Sequence, residues 1–367
     1  MNKHDITWRL THAATLSRDA SLRTQWDALN AQRGDLPFLA ADAVCAALVA
    51  FGTGAETLAI AEVDQRVVAM FVLEKQSMLR WATFAPSQLP LSAWVAERQF
   101  SLQELVATLT TGPLRTCLIL SVTKVDPLLC ARESDATNAA NATSADYIPT
   151  AWIDIAGDFD TYWAARGKNL RQNMRKQRNK LTADATRTRM QVIIEPADIA
   201  SALIRYGALE SAGWKAAEGT AIHPDNAQGR FYLQMFTDAA GRGETVFYEY
   251  LFDEKTVAMN LCLLRNRCLT VLKTAYDESI KALSPAFLLR EEELQLFFAN
   301  DAIRRVEYFG RIMDWHTKLT SESRTIYHFT HYRWAWLKRW AEQRRNSTAV
   351  ATPISTSADS SASATLQ

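Results

Sequence analysis

Two stretches of the chain share one order of apolar and polar positions. The first begins at Glu56 with "ETLAIAEVDQRVVAMFVLEKQSMLRWATF", and the second begins at Glu244 with "ETVFYEYLFDEKTVAMNLCLLRNRCLTVLKTA". Each pattern predicts an apolar strand, a turn that opens with an aspartate (Asp64 or Asp253), and a second strand that contains Val-Ala-Met. A polar turn and a third strand follow in both stretches.

Both stretches continue in the same way. Apolar residues at helical spacing predict amphipathic helices over about Ser101–Thr111 and about Pro285–Asn300, and the strands "RTCLILSV" and "RRVEYFG" come next. The matched order predicts an internal duplication, with two unrelated α+β domains as the alternative. Three antiparallel strands, a helix and a parallel strand resemble the layout of GNAT-type acyltransferases. The expected fold class is therefore α+β, with mixed sheets, flanking helices and two tandem GNAT-like halves.

Two segments of low complexity suggest where the units end. Ala131–Asp146 is small and polar, which is typical of a linker or long loop, and Asn346–Gln367 is a Ser/Thr/Ala tail that predicts disorder. We therefore expect a degenerate GNAT-like half over residues 1–146, an acyl-CoA-binding GNAT-like half over residues 147–345, and a disordered tail over residues 346–367.

Charge and cysteine usage narrow the classes of function. The chain has 41 Lys+Arg and 40 Asp+Glu, and this net charge of +1 gives no overall attraction to nucleic acid or anionic lipid. Five scattered cysteines without a CxxC motif indicate reduced thiols and a cytoplasmic protein. We expect no signal peptide and no membrane-spanning segment. We also expect no metal site, because the six histidines form no ligand pattern.

The segment "YDESIKALSPAFLLREEEL" raises the main question about chemistry. Ser284 followed by Pro285 predicts a helix that begins with a serine cap, yet the next four residues, Ala286 to Leu289, include no acid. Helix N-termini bind phosphates through unpaired N–H groups, and an acid there would repel them. We expect this start to bind the cofactor through Ser284, Pro285, Ala286 and Phe287; the alternative is an ordinary capped helix. The matching segment in the first half, "APSQLPLSAWVAERQF", is a less suitable phosphate-binding site.

Several ordered motifs resemble one family over Tyr162 to about Arg324. They are "KNLRQNMRKQRNKL", "ESAGWKAAEGTAI", "RFYLQMF", "AYDESIKALSPAFLL" and "VEYFGRIMDWHTKL". They resemble the CelD-type acetyltransferases associated with cellulose biosynthesis, a GNAT-superfamily branch related in fold to Fem-type peptidyltransferases. The resemblance implies acetyl-CoA or another acyl-CoA as co-substrate. Ala286 stands where that family usually has Gly, and His316 stands where it usually has Lys.

Acyl transfer needs a bound thioester, a donor to its carbonyl and a group that takes the acceptor's proton. Asp277 is the first candidate for the base because it follows the predicted central strand, and Glu210 is the second. The alternatives are a turn residue for Asp277 and a solvated or structural charge for Glu210. The remaining expected site residues are Lys273 and Thr274 for the cofactor, and Trp214, Lys215, Tyr276, Trp315 and His316 for the substrate.

Two basic segments keep other functions open. Arg166–Lys180 holds seven basic residues and no acid, which fits a solvated helix face or a rim that attracts phosphates or RNA. His331–Arg345 is rich in tryptophan and arginine, which fits a packed C-terminal helix or peripheral membrane contact. The expected function is an acyl-CoA-dependent N- or O-acyltransferase that acts on a sugar or on a cell-envelope or polysaccharide precursor. We expect no DNA partner. The alternatives are a Fem-like transferase that uses aminoacyl-tRNA, and a non-catalytic accessory protein of a polysaccharide assembly.

Overall fold

One mixed sheet runs through this computed structural model, in which residues 5–132, 140–212 and 221–350 are described. Its strands are β1 (Thr7–His12), β2 (Thr57–Val63), β3 (Arg66–Ser77), β4 (Arg80–Thr83), β5 (Trp94–Ala96), β6 (Ile119–Val125), β7 (Ala142–Asp154), β8 (Thr188–Ile193), β9 (Thr245–Phe252), β10 (Lys255–Arg265), β11 (Cys268–Tyr276), β12 (Arg305–Glu307) and β13 (Ser323–Tyr332). The α-helices are α1 (Thr15–Arg18), α2 (Ala20–Gln32), α3 (Ala41–Phe51), α4 (Leu102–Thr111), α5 (Phe159–Ala164), α6 (Lys168–Ala183), α7 (Ile199–Ala212), α8 (Ala227–Ala240), α9 (Pro285–Ala299), α10 (Asp314–Thr317) and α11 (Ala335–Val350).

The repeated strand order is confirmed. The sheet runs β1-β2-β3-β4-β6-β13-β7-β12-β11-β10-β9-β8, and β5 pairs with β3. In each half three consecutive strands pair antiparallel, and the strand after the helix joins in parallel, as β6 on β4 and β12 on β11. The two turn aspartates adopt the same left-handed backbone, with φ of 50° at Asp64 and 53° at Asp253. The fold is α+β with two GNAT-like strand orders in tandem.

In each half the two parallel strands pair briefly and then diverge. The last register pair between β11 and β12 is Thr270 with Glu307, although β11 continues to Tyr276. In the first half the last pair is Ala82 with Ser121, although β6 continues beyond it. We call the region beyond the last pair, at the carboxyl ends of the parallel strands, the cleft of each half.

The two halves exchange strands at their junction. β13 comes from the end of the chain, yet it lies between β6 and β7, and β7 pairs with both β13 and β12. The expected boundary at residue 146 falls inside β7, so the division into residues 1–146 and 147–345 stays a prediction. The prediction of a linker over Ala131–Asp146 is wrong from Ala142 onward, because β13 supplies an edge with which that segment pairs. Residues 133–139 lie outside the described residues.

The C-terminal helix differs from its predicted bounds. His331 and Tyr332 complete β13, so α11 begins at Ala335, and it continues to Val350 inside the predicted tail. The rest of the tail, residues 351–367, lies outside the described residues. Within the described ranges, every helix is too short or too polar to cross a lipid bilayer.

Hydrophobic packing joins the halves into one body. A central cluster combines α2 and α3 from the first half with α7 and α8 from the second, and it includes ring contacts between Phe51 and Phe231 at 5.3 Å and between Phe38 and Phe309 at 5.2 Å. A second cluster lies under α4, and a third lies under α6 and α9. Because the central cluster crosses the duplication, the relative position of the two clefts is fixed by packing.

Candidate functional site

The start of α9 has no side-chain cap, so the prediction that Ser284 caps it is wrong. Ser284 has a left-handed backbone (φ 55°, ψ 45°), and its hydroxyl accepts a hydrogen bond from the Asn173 amide of α6 at 3.1 Å instead. Its carbonyl still accepts the N–H groups of Phe287 and Leu288, at 3.0 and 3.1 Å. The backbone conformation accounts for the difference, because an N-cap side chain reaches its helix from an extended backbone.

The two helices that follow the diverging strands differ in charge. As predicted, the first turn of α9 contains no acid. In the first half, the Ser101 hydroxyl caps α4 by accepting from the N–H of Glu104 at 3.1 Å, and Glu104 places a carboxylate in that first turn. An anion would therefore meet a capped, acidic helix start in the first half and an uncapped, acid-free start in the second.

Neighbouring residues on β11 face opposite sides of the sheet. Thr274 accepts a hydrogen bond from Arg290 of α9, and Tyr276 belongs to the cluster under α9. Lys273 instead bonds to Glu210 on the opposite side, where α7 and α8 pack. Successive strand residues alternate in this way. Lys273 and Thr274 therefore do not line one surface, and Thr274 and Tyr276 are the two that lie near α9.

Arg290 occupies the second-half cleft and connects its walls. Its guanidinium donates to the Ala286 carbonyl and to the Thr274 hydroxyl, both at 3.0 Å, and lies 3.9 Å from the centre of the Trp315 indole. The residue is 6% exposed, and among the described residues no carboxylate oxygen lies within 4 Å of the guanidinium. Burial lowers the pKa of Arg290 from its usual value. The cleft therefore contains a desolvated cation without a directly bonded anion.

A buried carboxyl lies one helical turn beyond Arg290. Glu293 accepts from the Asn260 amide of β10 at 2.8 and 2.9 Å, and burial raises its pKa to about 7. Burial also raises the pKa of Tyr308, which follows β12, above its usual range. In this half of the protein, Glu293 is thus a carboxyl that changes charge near neutral pH.

The aromatic residues expected to bind substrate lie against this cluster. Trp315 and His316 of α10 stack with ring centres 3.5 Å apart, and His316 meets the edge of Tyr308 at 4.8 Å. The Nδ1 atom of His316 accepts the N–H of Met313 at 2.9 Å. Burial and then the Arg290 charge lower the pKa of His316 to about 4. His316 is therefore neutral at physiological pH, with its hydrogen on Nε2. Of these two aromatic residues, Trp315 is the one that stacks on Arg290.

The contacts of Asp277 favour its structural interpretation. It follows β11 as predicted and caps a short 3-10 turn by accepting from the N–H of Ser279 at 3.0 Å. Its carboxylate also accepts from Lys255 Nζ at 2.6 Å. The hydrogen bonds from Lys255 and Ser279 lower the pKa of Asp277, which makes it a weak proton acceptor at neutral pH.

Glu210 is buried at the other face of the sheet. It is 4% exposed, accepts from Lys273 Nζ at 3.0 Å and accepts from the N–H of Ile222 at 2.8 Å. The pair lies beside Tyr232, whose ring centre is 5.6 Å from Lys273 Nζ. Trp214 and Lys215, expected to bind substrate, lie outside the described residues.

Sequence reasoning missed Arg290, Glu293 and Tyr308. A signal was present: Arg290 and Glu293 share their helical face with Leu294 and Phe297, so "REEEL" places two charges at positions where the helix is otherwise buried. Charged residues on a buried face carry a large desolvation cost and therefore mark either a network or a functional group.

The strand order, the diverging parallel strands and the acid-free helix start define a GNAT-type acyltransferase fold. Comparison with known families agrees with this fold: residues 168–317 are similar to the acetyltransferase (GNAT) domain family. That range includes α6, α9, Arg290 and Trp315. No curated protein matches the chain by sequence.

Solved structures share the architecture across nearly the whole chain. The C-terminal domain ascribed to a lysylphosphatidylglycerol synthetase of Agrobacterium fabrum is 12% identical, with a TM-score of 0.54 over 89% of this chain and 96% of that one. A conserved protein of unknown function from Bacteroides thetaiotaomicron is 11% identical, with a TM-score of 0.54 over 86% of this chain and 97% of that one. At these identities the likeness concerns the fold.

Proposed function

We propose that the chain is an acyl-CoA-dependent acyltransferase whose second half binds the cofactor. The observation that carries the proposal is the start of α9, which has neither an acid nor a side-chain cap and follows the strand that diverges from its parallel neighbour. The pyrophosphate would accept a hydrogen bond from the N–H of Ala286 and lie at the positive end of the helix dipole, since Pro285 has no N–H and the N–H groups of Phe287 and Leu288 already donate to the Ser284 carbonyl. Lys318, whose Nζ lies 5.5 Å from the centre of the Phe287 ring, adds a positive charge nearby.

In this proposal Arg290 stabilises the charge that develops on the thioester oxygen. The acceptor's nitrogen or oxygen attacks the carbonyl carbon, a C–N or C–O bond forms, the C–S bond breaks and CoA leaves as thiolate. A buried cation that does not have to neutralise a bonded carboxylate favours the negative tetrahedral intermediate. The acceptor's proton must leave as well, and Glu293, with a pKa of about 7, matches that role better than Asp277 with its lowered pKa.

The acceptor we propose is an amine or hydroxyl of a sugar or a cell-envelope precursor. The resemblance to CelD-type acetyltransferases supports this class. The Agrobacterium neighbour is a domain ascribed to a lysylphosphatidylglycerol synthetase, and this name also supports an acceptor from the cell envelope.

Calorimetric titration with acetyl-CoA tests the proposal. Ala286→Glu would put a carboxylate at a half-buried position of the first turn, and we expect the affinity to fall at least about tenfold. Gln295→Glu adds the same charge at an exposed position of the same helix and should leave the affinity unchanged. If wild-type protein binds neither acetyl-CoA nor longer acyl-CoAs, the proposed cofactor is wrong. If Ala286→Glu binds as well as wild type, the cofactor lies elsewhere.

A second candidate function is favoured by the outer face of α6. Five of its basic residues are exposed: Lys168, Arg171, Arg175, Lys176 and Lys180. Such a face suits an aminoacyl-tRNA donor, and binding would then weaken steeply with salt. Filter binding with total tRNA at increasing salt separates the two donors. Absence of tRNA retention at low salt, together with acyl-CoA binding, would exclude this candidate.

We also propose peripheral contact with anionic membranes through the tryptophan surface, which comprises Met78, Trp334, Trp336 and Trp340. These side chains are 77%, 44%, 56% and 47% exposed. Backbone hydrogen bonds link the Met78 hairpin to this region. The N–H of Leu118 donates to the Leu79 carbonyl, and the Leu118 carbonyl accepts the N–H of Arg333. Aromatic residues bordered by arginines suit the interface of a bilayer.

A further inference from the structure

The first half contains a cavity that the proposed acyl-CoA site does not use. It has a volume of about 460 Å³ and lies where β4 and β6 diverge, which is the counterpart of the Arg290 cleft. Its polar lining comes from Glu74, Gln76, Thr123, Lys124, Tyr147 and His328. This volume is within the range of small-molecule sites in proteins. The duplicated fold thus keeps an open cleft in the half whose helix is unsuited to phosphate.

Two irregularities in neighbouring strands shape this first-half cavity. In β6 the register shifts at Thr123 and Lys124, both opposite His328, and Lys124 takes a left-handed backbone with φ of 47°. In β7 the register shifts at Tyr147, whose ring lies 4.6 Å from that of His328. β-bulges turn side chains out of the regular alternation and are enriched beside functional sites. A non-glycine residue at positive φ also costs free energy, which the surrounding structure must offset.

The bulge at Lys124 determines what the cavity offers to a ligand. Lys124 Nζ donates to the carbonyls of Pro86 and Leu89, at 2.8 and 3.0 Å, so one of its three N–H bonds remains. The backbone N–H of Lys124 donates to His328 Nδ1 at 3.0 Å, which leaves the hydrogen of the neutral ring on Nε2. Burial lowers the pKa of Lys124 to about 8, so it remains largely charged at neutral pH. The cavity therefore offers a cation and a neutral donor.

Glu74 adds the opposite charge. It lines the same cavity and accepts a hydrogen bond from Gln76 at 3.0 Å, and burial raises its pKa. A ligand with several negative charges would be repelled by Glu74, and an uncharged ligand would leave the remaining Lys124 N–H without an anion. A ligand with one group of each sign satisfies both.

We propose that the first-half cavity binds a small zwitterion, with its carboxylate on Lys124 and His328 and its ammonium on Glu74. Phe51 and Phe84 complete an apolar wall that suits the ligand's side chain. Free amino acids are the simplest members of this class. This site goes beyond the acyl-CoA proposal and does not depend on it, since it lies in the other half and uses none of the same residues.

Calorimetry with the common amino acids tests the site in the full chain. We expect at least one to bind with a dissociation constant below about 1 mM. Acetylating its amine, or converting its carboxylate to an amide, should each weaken binding at least about tenfold, because each change removes one of the paired charges. Absence of binding by every amino acid would overturn the proposal. Equal binding of the acetylated form would show a carboxylate site and would overturn the zwitterion assignment.

Two substitutions test whether the amino acid binds in the first-half cavity. Glu74→Gln preserves shape and should weaken the amino acid at least about tenfold, and Tyr147→Ala, at a position that is 41% exposed, should also weaken it without unfolding the chain. The control Glu254→Gln removes the same charge from a turn, where the side chain is 93% exposed, and should change nothing. Unchanged binding in both cavity variants would place the ligand elsewhere. Acetyl-CoA affinity measured in the same samples should stay at the wild-type value, so the two proposals can fail separately.

Discussion

Arg324 and Glu307 form a buried ion pair at the junction of the two halves, with Nη1 2.8 Å from the carboxylate. Both side chains are 6% exposed. The same guanidinium binds Asp126, which follows β6, at 2.7 Å. Arg324 of β13 therefore connects the end of β6 in the first half to the end of β12 in the second. Both clefts open beside these strand ends, so the triad fixes them relative to each other.

Replacing Arg324 by Met should destabilise the protein strongly. The change removes the guanidinium that pairs with both buried carboxylates, leaving Asp126 without this partner and Glu307 with only the longer contact to Arg305 at 3.6 Å. Removing one partner of a buried pair costs about 3–5 kcal/mol. Urea unfolding would measure the free energy of unfolding. Arg9→Met is the matched control, because Arg9 pairs with Glu62 at 3.5 Å with 52% of its side chain exposed, where loss of a pair costs less than about 1 kcal/mol. Equal effects of the two substitutions would contradict the role given to the triad.

Glu293 should make stability depend on pH between about 4.5 and 7. Its pKa is about 7 in the folded chain and near 4.5 when unfolded, so over this window the folded state binds more protons and stability falls as pH rises. The loss is absent below pH 4.5, is complete above pH 7 and amounts to at most about 3 kcal/mol. Glu293→Gln removes it and gives Asn260, whose Oδ1 lacks a partner, a new donor.

Urea unfolding of wild type and Glu293→Gln at pH 5, 6, 7 and 8 checks this expectation. The variant should gain about 1–3 kcal/mol relative to wild type between pH 5 and pH 8. Glu254→Gln, which removes an exposed carboxyl, should show a difference from wild type that does not change with pH. A pH-independent difference for Glu293→Gln would mean that this carboxyl ionises at its ordinary pKa.

The sequence predicted the parts of the fold that depend on local pattern. The repeated strands, both aspartate turns, and the start of α9 at Pro285 follow from spacing and turn chemistry. The placement of β13 between β6 and β7 could not be predicted this way, because the segment from Ala142 reads as a polar linker until a distant strand pairs with it. Such pairing depends on tertiary context that a local window does not contain.

The candidate site shows the same limit. Thr274, Tyr276 and Trp315 do lie near α9, because strand alternation and chain order are local properties. The separation of Lys273 from Thr274 follows from the same alternation. Which residues each of the two side chains contacts depends on how the helices pack on the two faces of the sheet. Ser284 has a left-handed backbone and its hydroxyl contacts Asn173 of another helix, and spacing alone reveals neither feature.

Ala286→Gly should strengthen acetyl-CoA binding if the methyl group crowds a phosphate at the start of α9. We expect a gain of about three- to tenfold by calorimetry, since the phosphate could approach the N–H at position 286 more closely. Gly should also cost up to about 1 kcal/mol of helix stability, which urea unfolding would detect. Ala299→Gly, at the exposed far end of the same helix, should share the stability loss and leave the affinity unchanged. Weaker binding by Ala286→Gly alone would show that the methyl group does not crowd the ligand.

Arg290→Lys should reduce turnover more than cofactor binding. Lysine keeps the charge but cannot donate to Ala286 and Thr274 and stack on Trp315 together. With hydroxylamine as surrogate acceptor, we expect kcat for CoA release to fall about 10²–10³-fold, the usual effect of losing an oxyanion donor. Arg178→Lys, which alters the ion pairs to Glu291 and Glu292 on the same side of the sheet, should affect stability and leave kcat near wild type. An equal loss of kcat in both variants would indicate a structural effect.

Replacing Trp336 and Trp340 by Ser should abolish binding to anionic vesicles. Both side chains lie on one face of α11, four residues apart and about half exposed, and the guanidinium of Arg344 lies 4.2 Å from the centre of the Trp340 ring. Flotation with vesicles of mixed phosphatidylcholine and phosphatidylglycerol measures the bound fraction, which should decrease with salt because the arginines contribute. Val49→Ser, at another exposed apolar position (86%), is the control and should float like wild type. Wild-type protein that remains unbound at low salt would exclude the tryptophan surface as a membrane contact, because neither its aromatic nor its basic groups would then engage the interface.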